Sequence, residues 1–436
     1  MPEWRQWRRR CLYREGASVT SAKAGKAEFV TARRTLVLRV EARELAVGGA
    51  DPGAVARIGR AARLLREGRL VAFPTETVYG LGADATDDAA VRAIFAAKGR
   101  PQDNPLIAHV ADVDGLYRLA AALTPAAETL ARRFWPGPLT LVVAARQGIL
   151  APSVTAGLRT VGVRFPDHPV AAALIREAGV PVAAPSANLS GKPSPTTAGH
   201  VLDDLDGRVD AVVDGGPTGV GVESTVLDVT GAAPVLLRPG GVTREQIEEV
   251  VGRRIGVAGE LAGAEGDAAV GGVPRSPGMK YTHYKPDADV VIVEPQDWGD
   301  PESGTKIARK VAELVRRAAA ERQAIAILAP SDNISFYQAE FAGAPLQPRR
   351  PNPDTGAAPA QDGRAEAKDG GFSLILYVLG HRAAPEAAAS GLFAALRELD
   401  AAGAGLIVAE GFPEEGLGLA LMNRLRKAAG YRIVRC

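Results

Sequence analysis

Short apolar runs that stop abruptly at proline or glycine recur along this 436-residue chain. LVAF (70–73), LIAHV (106–110), LTLVVAA (139–145), TVGVRFP (160–166), VPVAAPSAN (180–188), AVVDGG (211–216) and STVLDVT (224–230) are too short for typical helices and read as strands. Between several of them the apolar residues recur at helical spacing. Asp51 and Pro52 open one such segment as N-cap and first-turn proline, Val55, Ile58, Ala62 and Leu65 follow, and Gly68 closes it. A second helix is expected from about 87 to 98, with Val91, Ile94 and Phe95 on one face and Gly99 at its end, and a third over 169–179. Hairpin-like neighbours and crossover helices alternate, which predicts a mixed, twisted sheet in an α/β domain spanning 35–252.

The pattern then restarts. DVVIVEP (289–295), AIAILAP (324–330), FSLILYVLG (372–380) and GLIVAEG (405–411) alternate with helical segments at 305–322, 385–402 and 417–430. This predicts a smaller α/β domain with a parallel or mixed sheet over 288–436. Residues 253–287 read as a linker, Gly/Ala-rich at first and closing on SPGMKYTHYKP (276–286). Residues 343–370, rich in Pro, Gly, Ala and charge, read as a mobile insertion. Residues 1–34 are basic without the apolar stretch of a signal peptide, and read as a disordered extension or an overlong start.

Composition narrows the function classes. The formal net charge is +2, which argues against a dedicated nucleic-acid coat or a polybasic membrane binder. The two cysteines, Cys11 and Cys436, exclude a thiolate zinc site and a disulfide framework, and the chain is expected to be cytoplasmic. No apolar run approaches the roughly 18 residues of a membrane span.

Four stretches carry candidate chemistry. After Phe73, the sequence PTETVYGLG (74–82) sets hydroxyls and a carboxylate at a strand end, where α/β proteins bind ligands; the plainer alternative is a turn whose threonines cap a helix. In AAKGRPQDNPLIAH (96–109), Lys98 and Arg100 flank a helix-ending glycine. They either complement the helix dipole or form a pair of cations for a phosphate chain. Asn104 and His109 follow. APSANLSGKPSPT (184–196) is dense in short hydroxyl and amide groups, suited to a polar ligand or to solvent. DGGPTGVGVESTVLD (214–228) places its glycines before a strand, the reverse of a P-loop, although its amides can still form an anion nest near Arg238. SPGMKYTHYKP is an unusual connector, since Lys280, Tyr281, His283, Tyr284 and Lys285 exceed what flexibility needs.

Taken together and in this order, FPTETVYGLGADA, KGRPQDNPL, PSANLSGKPSPT and ESTVLD…LLRPG resemble the YrdC-like domain of L-threonylcarbamoyladenylate synthases. SPGMKYTHYKP resembles the linker of the family's long form, which adds a C-terminal Rossmann-like domain. The resemblance implies a nucleotidyltransferase that makes threonylcarbamoyl-AMP and pyrophosphate from ATP, L-threonine and bicarbonate. A separate threonylcarbamoyl transferase would then pass the group to tRNA beside the anticodon; direct tRNA binding by this chain stays open. The resemblance places the family's Lys-x-Arg…Ser-x-Asn tetrad on Lys98, Arg100, Ser186 and Asn188, with Lys98 and Arg100 as the catalytic cations. It places threonine near Thr77, His109, Arg164, Ser186 and Ser224, and the nucleotide near Arg100, Asn104, Thr160, Asn188, Thr196 and Arg238.

No motif pairs a nucleophile with a base, so no covalent enzyme intermediate is expected. Catalysis would rest on positioning and on cations at the phosphates, with Mg²⁺ held by phosphate and water and no protein metal cage. Tyr281, His283 and Tyr284 would lie over the cleft as a lid, with Lys280 and Lys285 meeting phosphate; the alternative is glue between domains. Rival functions are a hydrogenase-maturation carbamoyltransferase, whose zinc-finger cysteines this chain lacks, an RNA-binding module without chemistry, and a nucleotide sensor.

Overall fold

The structure is a computed structural model and describes residues 34–45, 50–258, 274, 276, 284–321, 324–342, 346, 348–349, 365–366 (backbone only) and 372–436. The expected N-terminal extension, most of the linker with Lys280, Tyr281 and His283, and most of the 343–370 insertion lie outside the described residues.

The first sheet is mixed, as the alternating hairpins and crossovers require. Its strands lie in the order Leu36–Arg39, Ala211–Asp214, Val71–Phe73, Gly80–Asp84, Val182–Ala183, Ile107–His109, Thr160–Arg164, Leu139–Ala145, Thr225–Asp228, Val235–Arg238 and Gly256–Val257. Ala120–Ala122 pairs beside Leu139–Ala145. The helix Pro52–Arg66 is capped by the Asp51 carboxylate, which accepts from the amide of Ala54. It buries Ala54, Ile58, Ala61, Ala62 and Leu65. Val55, expected in that stripe, lies at its margin and is 51% exposed. The helix Asp88–Lys98 begins at Asp87 and ends on Gly99 at φ 61°, a left-handed cap.

Two expectations need correcting. The stretch PTETVYGLG, expected beyond a strand end or in a turn, becomes strand at Gly80 and pairs antiparallel with Val71–Phe73. A Cβ on Gly82 would meet the Phe73 ring at 2.8 Å and Val182 Cγ1 at 2.9 Å, so this glycine serves close packing inside the sheet. VPVAAPSAN forms only a two-residue strand, Val182–Ala183. Pro181 and Pro185 flank it and cannot donate to a ladder. One isolated bridge, Gly80 to Ser186, continues the pairing past Pro185.

The second sheet runs Ala365–Glu366, Ser373–Val378, Ala324–Ala329, Leu406–Glu410, Asp289–Glu294 and Ile433–Arg435, parallel throughout except for the first pair. The last strand was not expected, because the helical pattern appeared to close the chain. Helix Ser303–Ala318 covers one face through Ile307, Val311 and Val315. Helices Pro385–Ala401 and Gly418–Ala428 cover the other. That second core also takes in Val78 and Tyr284, which come from outside the second sheet's own elements.

Candidate functional site

The turn after Val71–Phe73 organises itself first. Thr75 Oγ1 donates to the carbonyl of Val78 at 2.7 Å and accepts from the amides of Thr77 and Val78, so its hydroxyl is spent on the backbone. It also lies 2.8 Å from Thr77 Oγ1. Beside this turn, Arg164 ends its strand and forms a 2.7 Å ion pair with Glu76, with both side chains largely buried. His109 lies opposite Arg164 in the neighbouring strand. Burial, and then the Arg164 charge, push the His109 imidazole down to about 3, so it is neutral at physiological pH.

Three of the expected tetrad, Lys98, Ser186 and Asn188, are held together by one loop. Lys98 Nζ donates to the carbonyls of Ser186 and Asn188, each at 2.5 Å, and the Lys98 carbonyl accepts from the Ser190 amide. Ser186 Oγ donates to Asn188 Oδ1 at 2.6 Å, and Asn188 Nδ2 donates to the carbonyls of Leu189 and Lys192. Lys98 is 2% exposed, and burial followed by the Arg100 charge lowers its pKa well below the usual lysine value. Its side chain lies under the cavity wall, whereas Arg100, Ser186 and Asn188 line the cavity itself. Arg100 reaches the carbonyl of Pro105 at 3.1 Å.

The third wall is the start of strand Thr225–Asp228. Ser224 Oγ sits 2.8 Å from Thr140 Oγ1, and Arg238 donates to the Ser224 carbonyl at 2.9 Å. Next to it Glu223 is a buried carboxylate with three partners. Ser194 Oγ donates to it at 2.6 Å, Arg424 Nε at 2.8 Å, and the Tyr284 hydroxyl donates as well. Burial alone would raise the Glu223 pKa; Arg424 and Arg238 outweigh it and hold the group at about 2. Sequence reasoning quoted Glu223 within a motif but gave it no role. Its partner Arg424 belongs to the other sheet's helix, which no local pattern reveals.

Tyr284 is the one described member of the proposed lid set. Its φ is +65°, uncommon for a bulky residue. The ring stacks on Phe393 with centroids 5.1 Å apart, and the Arg424 guanidinium lies 5.6 Å from its centre. Burial and the Glu223 charge push its hydroxyl up to about 12. Lys285 donates its amide to the Gly191 carbonyl at 2.8 Å.

Thr77, Arg100, His109, Arg164, Ser186, Asn188, Ser224, Arg238 and Tyr284 thus converge on one cavity. The remaining expected residues do not line it. Thr160 stands at the other end of its strand, four residues or about 13 Å from Arg164. Asn104 is buried beside Arg100, and Thr196 packs on His200. The free space is only about 60 Å³, small against the roughly 300–1,000 Å³ of sites for drug-sized ligands. A wider crevice of about 870 Å³ opens between the helix starting at Ala198 and the helix Pro385–Ala401. It is lined by mixed charges and none of the expected site residues, so size does not locate the chemistry. Gly221, read as part of an anion nest, has φ +71°, and a Cβ there would meet the Ser390 carbonyl oxygen at 2.3 Å. It admits the backbone of the second sheet's helix.

Among the described residues, no group of three or more His, Cys, Asp or Glu could hold a metal ion, and no helix is long and apolar enough to cross a membrane.

Comparison with known proteins places the fold in a family. A family described as "Telomere recombination" matches residues 63–240, and one described as "Threonylcarbamoyl-AMP synthase, C-terminal domain" matches residues 242–430. The threonylcarbamoyl-AMP synthase of Bacillus subtilis is 46% identical over 379 residues, covering 87% of this chain and 94% of that protein. A shorter threonylcarbamoyl-AMP synthase from Vibrio vulnificus is 37% identical over 163 residues, 37% of this chain and 87% of its own length. The crystal structure of Pyrococcus abyssi Sua5 complexed with L-threonine superimposes with a TM-score of 0.74 at 42% identity, covering 92% of this chain and all of that one. Fold, motifs and relatives agree: the chain belongs to the two-domain threonylcarbamoyl-AMP synthase family.

Proposed function

We propose that the chain makes L-threonylcarbamoyl-AMP from ATP, L-threonine and bicarbonate and releases pyrophosphate, as a step in modifying tRNA beside the anticodon. The observation that carries the proposal is the meeting of Arg100, Arg164 and Arg238 with Ser186 and Asn188 around one cavity. Threonine in the Pyrococcus relative's crystal structure supports the amino-acid substrate.

Threonine would sit toward Thr77, His109, Arg164, Ser186 and Ser224. A neutral His109 suits hydrogen bonding to a hydroxyl or amine better than pairing with a charge. Threonine's amine condenses with bicarbonate, losing water, to give a carbamate. A carbamate oxygen then attacks the α-phosphorus, the bond to the β-phosphate oxygen breaks, and pyrophosphate leaves. The nucleotide would lie toward Arg100, Asn188 and Arg238; Asn104, Thr160 and Thr196 are assigned to it on resemblance alone. Lys98 would act by holding the Ser186 and Asn188 carbonyls and by adding positive potential behind them.

Mg²⁺ would arrive with the phosphates and screen their charge. Glu223 at the cavity, and Glu76 behind it, are each already paired with an arginine. Because about 60 Å³ is too little for ATP and threonine together, the wall carrying Tyr284 would open to admit them and close over the hydrolysis-prone anhydride. A separate transferase would consume the product.

The test is pyrophosphate release by purified protein. It should require threonine and bicarbonate together; release that ignores threonine would sink the proposal.

A further inference from the structure

We infer that Arg397 and Arg424, both from the second sheet's helices, are positioning residues that hold the two substrate-facing loops of the first sheet in register. Neither lines the cavity. Both reach across to the segments that do.

Arg397, on helix Pro385–Ala401, donates to Asp204 Oδ2 at 2.7 Å and to the Pro193 carbonyl at 2.6 Å. Asp204 is itself buried and accepts the amide of Leu189 at 3.1 Å. One guanidinium and one carboxylate thus tie down both ends of the 189–193 loop, immediately after Ser186 and Asn188. Arg424, on helix Gly418–Ala428, is 0% exposed and donates to Glu223 at 2.8 Å. Glu223 precedes Ser224 in the chain and accepts from Ser194, the residue after the Arg397-bound Pro193. The two arginines therefore act on one connected frame, Leu189 to Ser194 to Glu223 to Ser224. Lys98 senses the same frame, since Asp204 raises its pKa and Arg397 lowers it, after the larger effects of burial and Arg100.

Simple domain adhesion would not require this arrangement. A buried ion pair is a poor source of net stability compared with apolar packing, because both charges must be desolvated. Apolar contact already joins the two parts through Val222, Ala389 and Ala420. What a buried, multiply bonded arginine adds is a fixed geometry for its partners.

The inference rests on the cavity assigned above, and its test has a readout independent of turnover. Hydrogen exchange should be followed in peptides covering 186–194 and 222–225 in Arg397→Met, Arg424→Met and the control Arg382→Met. Arg382 is also a second-domain arginine, half-buried and paired with the buried Glu410, but touches nothing at the cavity. Positioning predicts at least tenfold faster exchange at the Leu189 amide in Arg397→Met and around Ser224 in Arg424→Met, with Leu139–Ala145 unchanged. It further predicts a rise of tenfold or more in KM for threonine or ATP, and partial recovery in Arg397→Lys. The control should lose thermal stability while leaving both loops and KM as they were. If the arginine variants melt earlier but keep loop exchange and KM, the inference is overturned. Should Arg424→Met fail to fold, Glu223→Gln/Arg424→Met removes both charges. Fast loop exchange in that stable double variant supports positioning, and native exchange overturns it. Wild-type protein that releases no threonine-dependent pyrophosphate would count against the proposed function instead, leaving the exchange result to stand alone.

Discussion

The ammonium nitrogen of Lys98 lies 2.5 Å from the carbonyl oxygen of Ser186. A second bond of the same length to Asn188 commits two of its three donors to the loop that faces the cavity. Lys98→Ala should therefore lower kcat more than a hundredfold, about 3 kcal/mol of transition-state stabilisation. Steady-state pyrophosphate release with matched circular dichroism spectra checks this. An unchanged rate in a folded variant removes Lys98 from the catalytic account.

Acid should weaken the fold before it titrates most carboxylates. Burial holds His109 at about 3 and His200 at about 4, both below the unfolded value near 6.5. Between those values the unfolded chain binds more protons, so stability falls as pH drops from about 6.5. Glu223, held at about 2, adds a further loss as pH falls below about 4.5. Urea melts at pH 7, 5.5 and 4.5 should show the decline, and His109→Gln should make it shallower.

Three glycines should rank by what surrounds them. Gly221→Ala places a Cβ against the Ser390 backbone at positive φ and should cost most, because backbone cannot yield. Gly82→Ala meets side chains at 2.8 and 2.9 Å and should cost roughly 1–3 kcal/mol. Gly99→Ala has open space and only its φ of +61° to bear, about 1–2 kcal/mol. Denaturant midpoints of the three variants test the order.

Tyr284→Phe keeps the stack on Phe393 and loses the hydroxyl that donates to Glu223. Tyr284→Ala loses both. A closing wall predicts that Ala abolishes synthesis in a protein that still folds, with Phe intermediate. Loosened domains with near-normal synthesis would instead make this residue a spacer; limited proteolysis beside the activity assay distinguishes the two.

Sequence alone revealed what is local. Asp51, Asp87 and Gly99 mark helix ends because caps act within a few residues. The strand that becomes Leu139–Ala145 was legible over its full length because it is a continuous apolar run. Val182–Ala183 was overestimated, since the flanking prolines end the ladder though the apolar pattern continues. Ile433–Arg435 was missed because its pairing with Asp289–Glu294 spans over a hundred residues. At the site, the motif residues Arg100, Ser186, Asn188 and Ser224 do share one cavity. Glu223 with Arg424, and Asp204 with Arg397, were invisible because each bond joins residues about two hundred positions apart.

Val78 belongs to the second sheet's apolar core together with Ala388, Leu392 and Phe393, and Val222 shares a smaller cluster with Ala389 and Ala420. The first-sheet domain therefore owns part of its neighbour's interior. Cut free near residue 258, it would turn an apolar seam out to water. Solubility, before any question of chemistry, would then decide whether that half can exist by itself, and Val78→Thr with Val222→Thr is the pair of changes that would make the excised half tractable.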